Sequence, residues 1–206
     1  MSGPATAGAL QQEQLAAAER LVTQVRALML AAATSTVPVA DLDEAARLVE
    51  RATQLAGASR QVEGLRLNLD RAAIARTAAG EPWQVFRHNP LGIPLTIEVD
   101  GDLATAALAP TALLEGPPQV LHGGFSAAMM DALISTLVQV QGLRAVTVRL
   151  EVEFLAAVPL DEPLHLTARL VEVAGRKVRA TGSVQQRGVE VVRAEALLIT
   201  VAGEPD

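Results

Sequence analysis

Two stretches near the start of the chain repeat apolar residues at every third or fourth position, which is the spacing of one face of an α-helix. Residues 9–33 predict the first helix, and residues 41–56 predict a second one that ends at Gly57. Asp41 and Glu44 have the spacing of a capping box at the start of the second helix. Its buried stripe is expected to consist of Leu42, Ala45, Leu48, Val49, Ala52 and Leu55. We expect both helices to pack on the main domain or on a partner subunit, since an amphipathic helix needs a surface to cover.

After Pro82 the apolar period changes from helical to alternating, which predicts strands. Residues 95–99 and 103–108 predict a hairpin closed by Asp100-Gly101-Asp102. Further strands are expected at residues 145–154, 164–173, 177–185 and 189–201, and the tight turns between the last three make them antiparallel neighbours. In the first of these, Val146, Val148, Leu150, Val152 and Phe154 should face one side, and Thr147, Arg149, Glu151 and Glu153 the other.

The same change of period divides the chain into two parts. Residues 1–80 are interpreted as an N-terminal helical extension, made of two amphipathic helices and a connector with a helical turn near residues 69–79. Residues 83–203 are interpreted as the main domain.

A long apolar helix is predicted between the hairpin and the later strands, from Phe125 to near Gly142. It follows His122-Gly123-Gly124 and is apolar on nearly every face, which is typical of a buried helix. Asp131 lies within it, and a buried carboxylate is costly unless it is paired or used. One interpretation is a structural carboxylate that is bonded to a backbone N–H or to an Arg elsewhere in the chain.

The glycine pair supports a chemical interpretation of Asp131. A Gly pair just inside a helix start leaves backbone N–H groups bare, and the helix dipole adds positive potential there, so this spot can hold a developing oxyanion. A carboxylate on the same element supplies a base or a nucleophile. His122 and Asp131 lie nine residues apart, which is about 13.5 Å along a straight helix and about half a turn round it. If both act on one group, Asp131 must meet the His122-Gly123 end of another copy, which predicts a two-fold dimer with shared active sites.

Composition and charge narrow the classes of partner and cofactor. The chain has 206 residues, is 50% hydrophobic and carries a net charge of −6 without a basic block, so nucleic acid and anionic membrane surfaces are poor partners. It has no Cys, and His88, His122 and His165 are far apart, so no metal site and no cofactor are expected. The N-terminus lacks a signal-peptide pattern, and the central helix is interpreted as core, so we expect a cytoplasmic protein.

Several motifs of the main domain are shared with a known family. They are His88-Asn89-Pro90-Leu91-Gly92, Glu115-Gly116-Pro117-Pro118, His122-Gly123-Gly124 and Asp131. With the hairpin and the later strands, they resemble the hotdog-fold thioesterases, in particular the phenylacetate-pathway (PaaI-like) acyl-CoA thioesterase group. The resemblance covers about residues 84–203, and residues 1–80 are without a family counterpart in it. It implies an α+β hotdog fold, in which an antiparallel sheet wraps round a long central helix.

The resemblance also implies hydrolysis of an acyl-CoA thioester to free acid and CoA, in a homodimer or a homotetramer built as a dimer of dimers. In the family, the acid at the Asp131 position is general base or nucleophile, and the backbone N–H at the Gly123 position of the facing subunit polarises the thioester carbonyl. His122 shapes that site. Ser135 and Thr147 stand where some members carry catalytic hydroxyl groups. A back-bonded Ser and a strand-forming Thr are the alternatives for these two residues.

The substrate is expected to contact Gly124 at the helix start. The acyl pocket would draw on Phe125, Met129, Met130 and Phe154, and the CoA phosphates would meet Arg176, Lys177 and Arg179. The alternatives are that the apolar residues only pack in the core and that the cations are ordinary solvated residues of a turn. Some family members carry Asn or Gln shortly before His-Gly-Gly, where Gln119 stands in this chain.

Other functions remain open from the sequence alone. A non-catalytic acyl-CoA-binding module on the same fold is the main alternative to an enzyme. A hotdog dehydratase would need a His soon after the acid, whereas the next His after Asp131 is His165. A coiled-coil adaptor or scaffold would rest on the N-terminal helices, whose stripes do not follow a strict heptad.

Overall fold

The computed structural model describes residues 7–59, 71–160 and 162–201, without the side chains of residues 7–11. Its helices are α1 (Ala7–Thr34), α2 (Val39–Ala56), α3 (Arg71–Ala78) and α4 (Gly123–Val140), and a 3₁₀ turn spans Ala112–Leu114. Its strands are β1 (Trp83–Gln84), β2 (Thr96–Asp100), β3 (Leu103–Leu108), β4 (Ala145–Phe154), β5 (Leu164–Ala174), β6 (Lys177–Gln186) and β7 (Val189–Thr200).

The strands form one antiparallel sheet in the order β1-β2-β3-β5-β6-β7-β4, and α4 contacts every strand from β2 to β7. The core lies between α4 and this sheet. Its largest fully buried side chains on α4 are Met129, Met130, Leu133, Ile134, Leu137 and Val138. Each such side chain stabilises the fold by about 1.5–3 kcal/mol when it leaves water. The predicted architecture, an antiparallel sheet wrapped round a long central helix, is confirmed.

The first hairpin has the turn that the sequence predicted. Asp100 pairs with Leu103, so the loop consists of Gly101 and Asp102, and Gly101 has a positive φ of 56°. A two-residue turn with Gly first matches the twist of the flanking strands, because Gly adopts this φ without a steric penalty.

The alternation predicted for β4 is wrong at one point. A β-bulge lies between Thr147 and Arg149, and it shifts the pairing register with β7. Because a bulge inserts one extra residue, Thr147 lies on the inner side with Leu150 and Val152, whereas Val146 and Val148 are 51% and 56% exposed. The bulge therefore turns the Thr147 side chain towards α4, which the period of two could not predict.

Helix α1 is fastened to the motif that begins at His88. Arg26 Nη2 donates to the carbonyl oxygens of Phe86, Asn89 and Gly92 at 2.5, 2.7 and 3.1 Å. His88 Nε2 lies 3.1 Å from the carbonyl oxygen of Leu15, also on α1. Burial lowers the pKa of the Arg26 guanidinium from its ordinary value, and the three carbonyl dipoles offset this loss of hydration. The predicted packing of the first helix on the main domain is confirmed.

The second predicted helix forms, but its predicted capping box is wrong and its stripe is not buried within the protomer. Pro38 is its N-cap and no side chain caps it, so Asp41 lies inside the first turn and makes no capping box with Glu44. Its apolar stripe is not buried: Leu48 is 62% exposed and Leu55 is 68% exposed. Within the described residues α2 buries none of its side chains, and its packing on a partner subunit stays a prediction.

The connector is described only in part, because residues 60–70 lie outside the described residues. The predicted helical turn is present as α3, which buries Ala73 and Thr77 and contacts α4 and β2. Among the described helices, α4 is the one whose length and composition would allow it to cross a membrane, and half of that stretch is buried inside the fold. It serves as the core helix, as the sequence predicted.

The attachment of α1 can be tested by removing its central cation. Replacing Arg26 with Met should destabilise the protein by about 1–3 kcal/mol, because three carbonyl oxygens lose a charged donor. Urea unfolding measures this change, and limited proteolysis should cut α1 faster in the variant. Arg20→Met, on an exposed position of the same helix, is the matched control and should leave both measurements unchanged; equal effects of the two variants would contradict the attachment.

Candidate active site

The start of α4 is held by His122, which is its N-cap residue. His122 Nδ1 accepts a hydrogen bond of 2.9 Å from the backbone N–H of Gly124. The backbone N–H of His122 donates to the carbonyl oxygen of Leu114 at 2.9 Å, which ties the helix start to the 3₁₀ turn. The expectation that both glycines leave bare N–H groups is therefore wrong, because the His122 ring uses the one at Gly124.

The backbone N–H of Gly123 has no hydrogen-bond partner among the described residues. It is the first residue of α4, so its N–H belongs to the orphan donors that carry the positive end of the helix dipole. A Cβ at Gly123 would lie 2.9 Å from the Phe154 ring, so only glycine lets this ring rest on the helix start. One donor, and not a pair, is available to an oxyanion here.

Gly116, in the loop before the helix, is another motif residue whose surroundings require glycine. Gly116 donates from its N–H to the carbonyl oxygen of Val120 at 2.8 Å, which folds the Pro117-Pro118 segment back. A Cβ at Gly116 would lie 3.0 Å from the Cα and Cβ atoms of His122. Glycine at this position thus allows the loop to pack directly against the N-cap residue.

Asp131 lies two turns further along α4 and is half-buried. Thr147 Oγ1, delivered by the β4 bulge, donates to Asp131 Oδ1 at 2.8 Å. Ser135 Oγ lies 3.5 Å from Thr147 Oγ1, at the limit of a hydrogen bond. The structure brings these three predicted residues together as a hydroxyl-supported carboxylate.

The structural alternative for Asp131 finds no support in the described part of the chain. No Arg or Lys there forms an ion pair with Asp131, and Thr147 is the donor that its carboxylate has. A half-buried carboxylate with one neutral donor keeps lone pairs free for a water or a substrate atom. In the same protomer, the N–H of Gly123 is eight residues away, about 12 Å along the axis.

The predicted substrate contacts fall into different environments. Met130 is fully buried, and a Cβ at Gly182 would lie 3.0 Å from its Sδ atom, so Met130 packs between α4 and the sheet and is core. Phe154 is 56% exposed at the end of β4. Phe125 is half-buried, and its ring meets the His122 ring edge-on with 5.9 Å between centroids.

Arg176 and Lys177 lie at the turn between β5 and β6. Arg176 donates to the carbonyl oxygen of Thr200 at 3.1 and 3.2 Å, whereas Lys177 is exposed. Lys177 pairs with Ile199, which pairs with Val146, so both cations lie at the end of the sheet that carries Thr147. The alternation of β6, in which Val178 is buried and Lys177 is exposed, places Lys177 on the face of the sheet opposite α4.

An apolar cavity of about 360 Å³ adjoins the start of α4, and sequence reasoning missed it. Its walls include Met29 and Leu30 from α1, Ile93, Leu108 and Leu114 from the main domain, and Phe125. The apolar stripe of α1 was the signal for this cavity in the sequence, but the spacing of apolar residues does not say which surface the helix covers. No group of three or more His, Asp or Glu within the described ranges could hold a metal ion.

The fold is that of the hotdog-fold thioesterases, and residues 118–193 match the family model of the thioesterase superfamily. Human acyl-coenzyme A thioesterase THEM5 is 30% identical over 87 residues, which cover 42% of this chain and 35% of the human protein. The chain thus matches about a third of the length of this curated relative. The predicted resemblance to this class is confirmed.

Solved structures support the same fold. A crystallised thioesterase superfamily protein gives a TM-score of 0.74 at 23% identity and covers 88% of this chain and 90% of that chain. This share exceeds that of residues 83–203, so the similarity extends into part of the N-terminal extension, for which the resemblance offered no counterpart. E. coli PaaI, of the phenylacetic acid degradation operon, gives a TM-score of 0.50 at 20% identity. The match covers 53% of this chain and 80% of that chain.

A hypothetical thioesterase of Streptococcus pneumoniae TIGR4, crystallised with coenzyme A, gives a TM-score of 0.51 at 18% identity and covers 54% of this chain and 88% of that chain. Two further structures of a hypothetical thioesterase from this bacterium are mutants, one of an Asp to Ala and one of a Thr to Ala, at positions sixteen residues apart.

The capping role of His122 gives a stability test. Replacing His122 with Ala should cost about 0.5–2 kcal/mol, because the N–H of Gly124 loses its acceptor, while His122→Asn should retain most of the stability since Asn is a good N-cap. Urea unfolding of both variants measures the difference. His165→Ala, at an exposed strand position, serves as control; equal stability of the Ala and Asn variants would show that the cap is not responsible.

Proposed function

We propose that the protein is an acyl-CoA thioesterase, which hydrolyses a CoA thioester to free acid and CoA. The observation that carries the proposal is the pair formed by a Thr-supported carboxylate, Asp131, and an unpartnered N–H at Gly123, both on the core helix of a thioesterase fold. The first can activate a nucleophile, and the second can hold the negative charge that develops on the thioester oxygen.

The two groups act together only across a dimer. Helix geometry separates them by about 12 Å within one protomer, which exceeds the span of one reacting carbonyl and its water. We therefore assign each site to Asp131 of one protomer and Gly123 of the partner subunit. Arg176 and Lys177, at the end of the sheet that carries Thr147, are proposed to meet the CoA phosphates.

Strand β4 supplies the surface for such a dimer. It lies at the sheet edge, paired with β7 on one side, and Val146, Val148 and Phe154 on it are 51–56% exposed. β4 is ten residues long and carries these exposed apolar side chains beside charged ones, and the unpaired backbone groups of an edge strand can pair with another chain. Thr147 lies near one end of β4 and Phe154, which touches Gly123, at the other. Antiparallel pairing of β4 with its own copy would therefore bring the Asp131 end of one protomer to the Gly123 end of the other.

The reaction can follow either of two balanced routes. In the base route, a water oxygen attacks the carbonyl carbon while Asp131 takes its proton; the C–S bond then breaks, and the CoA thiolate receives that proton. In the nucleophile route, Asp131 attacks the carbonyl carbon and CoA leaves as the thiolate; water then hydrolyses the resulting anhydride, which releases the free acid, returns Asp131 as the carboxylate and passes one proton to the thiolate. In both, Thr147 and Ser135 orient the carboxylate or the water, and His122 fixes the helix start that carries the N–H.

The relatives support this assignment at a coarser level. THEM5 is an acyl-coenzyme A thioesterase, and one S. pneumoniae thioesterase was crystallised with coenzyme A. The Asp and Thr replaced in the S. pneumoniae mutants are sixteen residues apart, as are Asp131 and Thr147 here.

The proposal is tested by Asp131→Asn, which keeps the shape of the side chain but removes its basicity. Thiol release from a panel of acyl-CoAs should fall at least about 100-fold in kcat. Asp100→Asn, at an exposed position of β2, is the matched control and should retain wild-type turnover.

Near-wild-type turnover by a folded Asp131→Asn protein would reject the role of this residue. A wild-type protein that binds acyl-CoA but releases no thiol from any member of the panel would reject the enzyme and favour a non-catalytic acyl-CoA-binding module.

A further inference from the structure

The apolar cavity lies directly behind the helix start that carries the Gly123 N–H. Two of its lining residues contact His122: the carbonyl oxygen of Leu114 accepts the His122 N–H, and the Phe125 ring packs edge-on against the His122 ring. A thioester oxygen held at Gly123 would therefore place the attached acyl group within reach of this cavity.

The lining chemistry suits a hydrocarbon chain. Thirteen of the fifteen lining residues are apolar or glycine, and the two polar ones are Arg26 and Thr111. Arg26 Nη2 is committed to three backbone carbonyl oxygens, and Arg26 Nε is a buried donor without a hydrogen-bond partner among the described residues, so the lining is apolar apart from this one donor and Thr111. Its volume of about 360 Å³ lies near the lower end of the range for ligand pockets, which suits a chain of medium length.

The outer wall of the cavity is α1, which lies outside the hotdog domain. Ala27, Met29 and Leu30 line the cavity from this helix, and Arg26 fastens the helix to the platform formed by Phe86, Asn89 and Gly92. Since the wall is held at a fixed place, the space between α1 and Phe125 limits how far an acyl chain can extend.

We infer that the protein acts on medium-length aliphatic acyl groups, and that α1 sets the limit of chain length by closing the far wall of the cavity at Met29 and Leu30. This inference rests on the proposed thioesterase function for the headgroup of the ligand, but it concerns where the acyl tail binds. It gives the N-terminal extension a part in specificity.

The test replaces Leu30 in the wall of the cavity and uses butyryl-, octanoyl-, dodecanoyl- and hexadecanoyl-CoA as ligands. For each ligand, kcat/KM is measured in the active protein, and Kd is measured in a protein that also carries Asp131→Asn. In the wild type, affinity should rise about fourfold per buried methylene up to octanoyl and then level off. Leu30→Trp should lower the preference for octanoyl-CoA over butyryl-CoA at least about tenfold, because about two methylene groups of the longer chain can no longer be buried in the cavity. Leu30→Ala should shift the limit in the opposite direction, towards dodecanoyl.

Ala32→Trp is the matched control, because Ala32 is exposed and lies about 200° round the helix from Leu30. It should leave the chain-length profile unchanged. An unchanged profile in both Leu30 variants, or an equal loss for all chain lengths, would overturn the inference. Absence of turnover in the wild type with a chain-length-dependent Kd would reject the proposed function while supporting the cavity as the acyl site.

Discussion

The fixed rise of the α-helix is the constraint on which the rest depends. It holds the Gly123 N–H and the Asp131 carboxylate about 12 Å apart on α4, because a buried helix cannot bend to bring them together. The strands from β2 to β7 pack on that helix and bury it in the core. The two groups are thus kept apart within a protomer, and in the proposed mechanism a second copy supplies the missing half.

Local structure positions the Gly123 N–H and the Asp131 carboxylate independently of each other. At the tip, the His122 ring satisfies the Gly124 N–H, so that a single orphan donor is left at Gly123. Further along, the β4 bulge turns Thr147 inward to support Asp131 with one neutral hydrogen bond. Neither arrangement needs a charged partner, which leaves the acid with lone pairs available for a nucleophilic water.

The sequence predicted those features that depend on local periodicity and turn chemistry. The hairpin at Gly101, the start of α4 after His122, and the strands from β4 to β7 follow from such patterns. The bulge at Val148 did not, because a period of two contains no signal for an inserted residue. The exposed stripe of α2 and the cavity behind Phe125 were also missed, since periodicity identifies an apolar face but not the surface it meets.

The most direct test of the shared site is a mixed dimer of two inactive proteins, Asp131→Asn and Gly123→Pro. Proline removes the N–H at the first helical position, where it is tolerated, and His122 before it is already extended at φ −68° and ψ 128°. Gly123→Ala, which keeps the N–H but adds the same contact with Phe154, controls for crowding. Equal mixing after co-refolding should restore about a quarter of wild-type thiol release, because half of the dimers then contain one intact site. No recovery in a mixture shown to contain heterodimers would contradict the account.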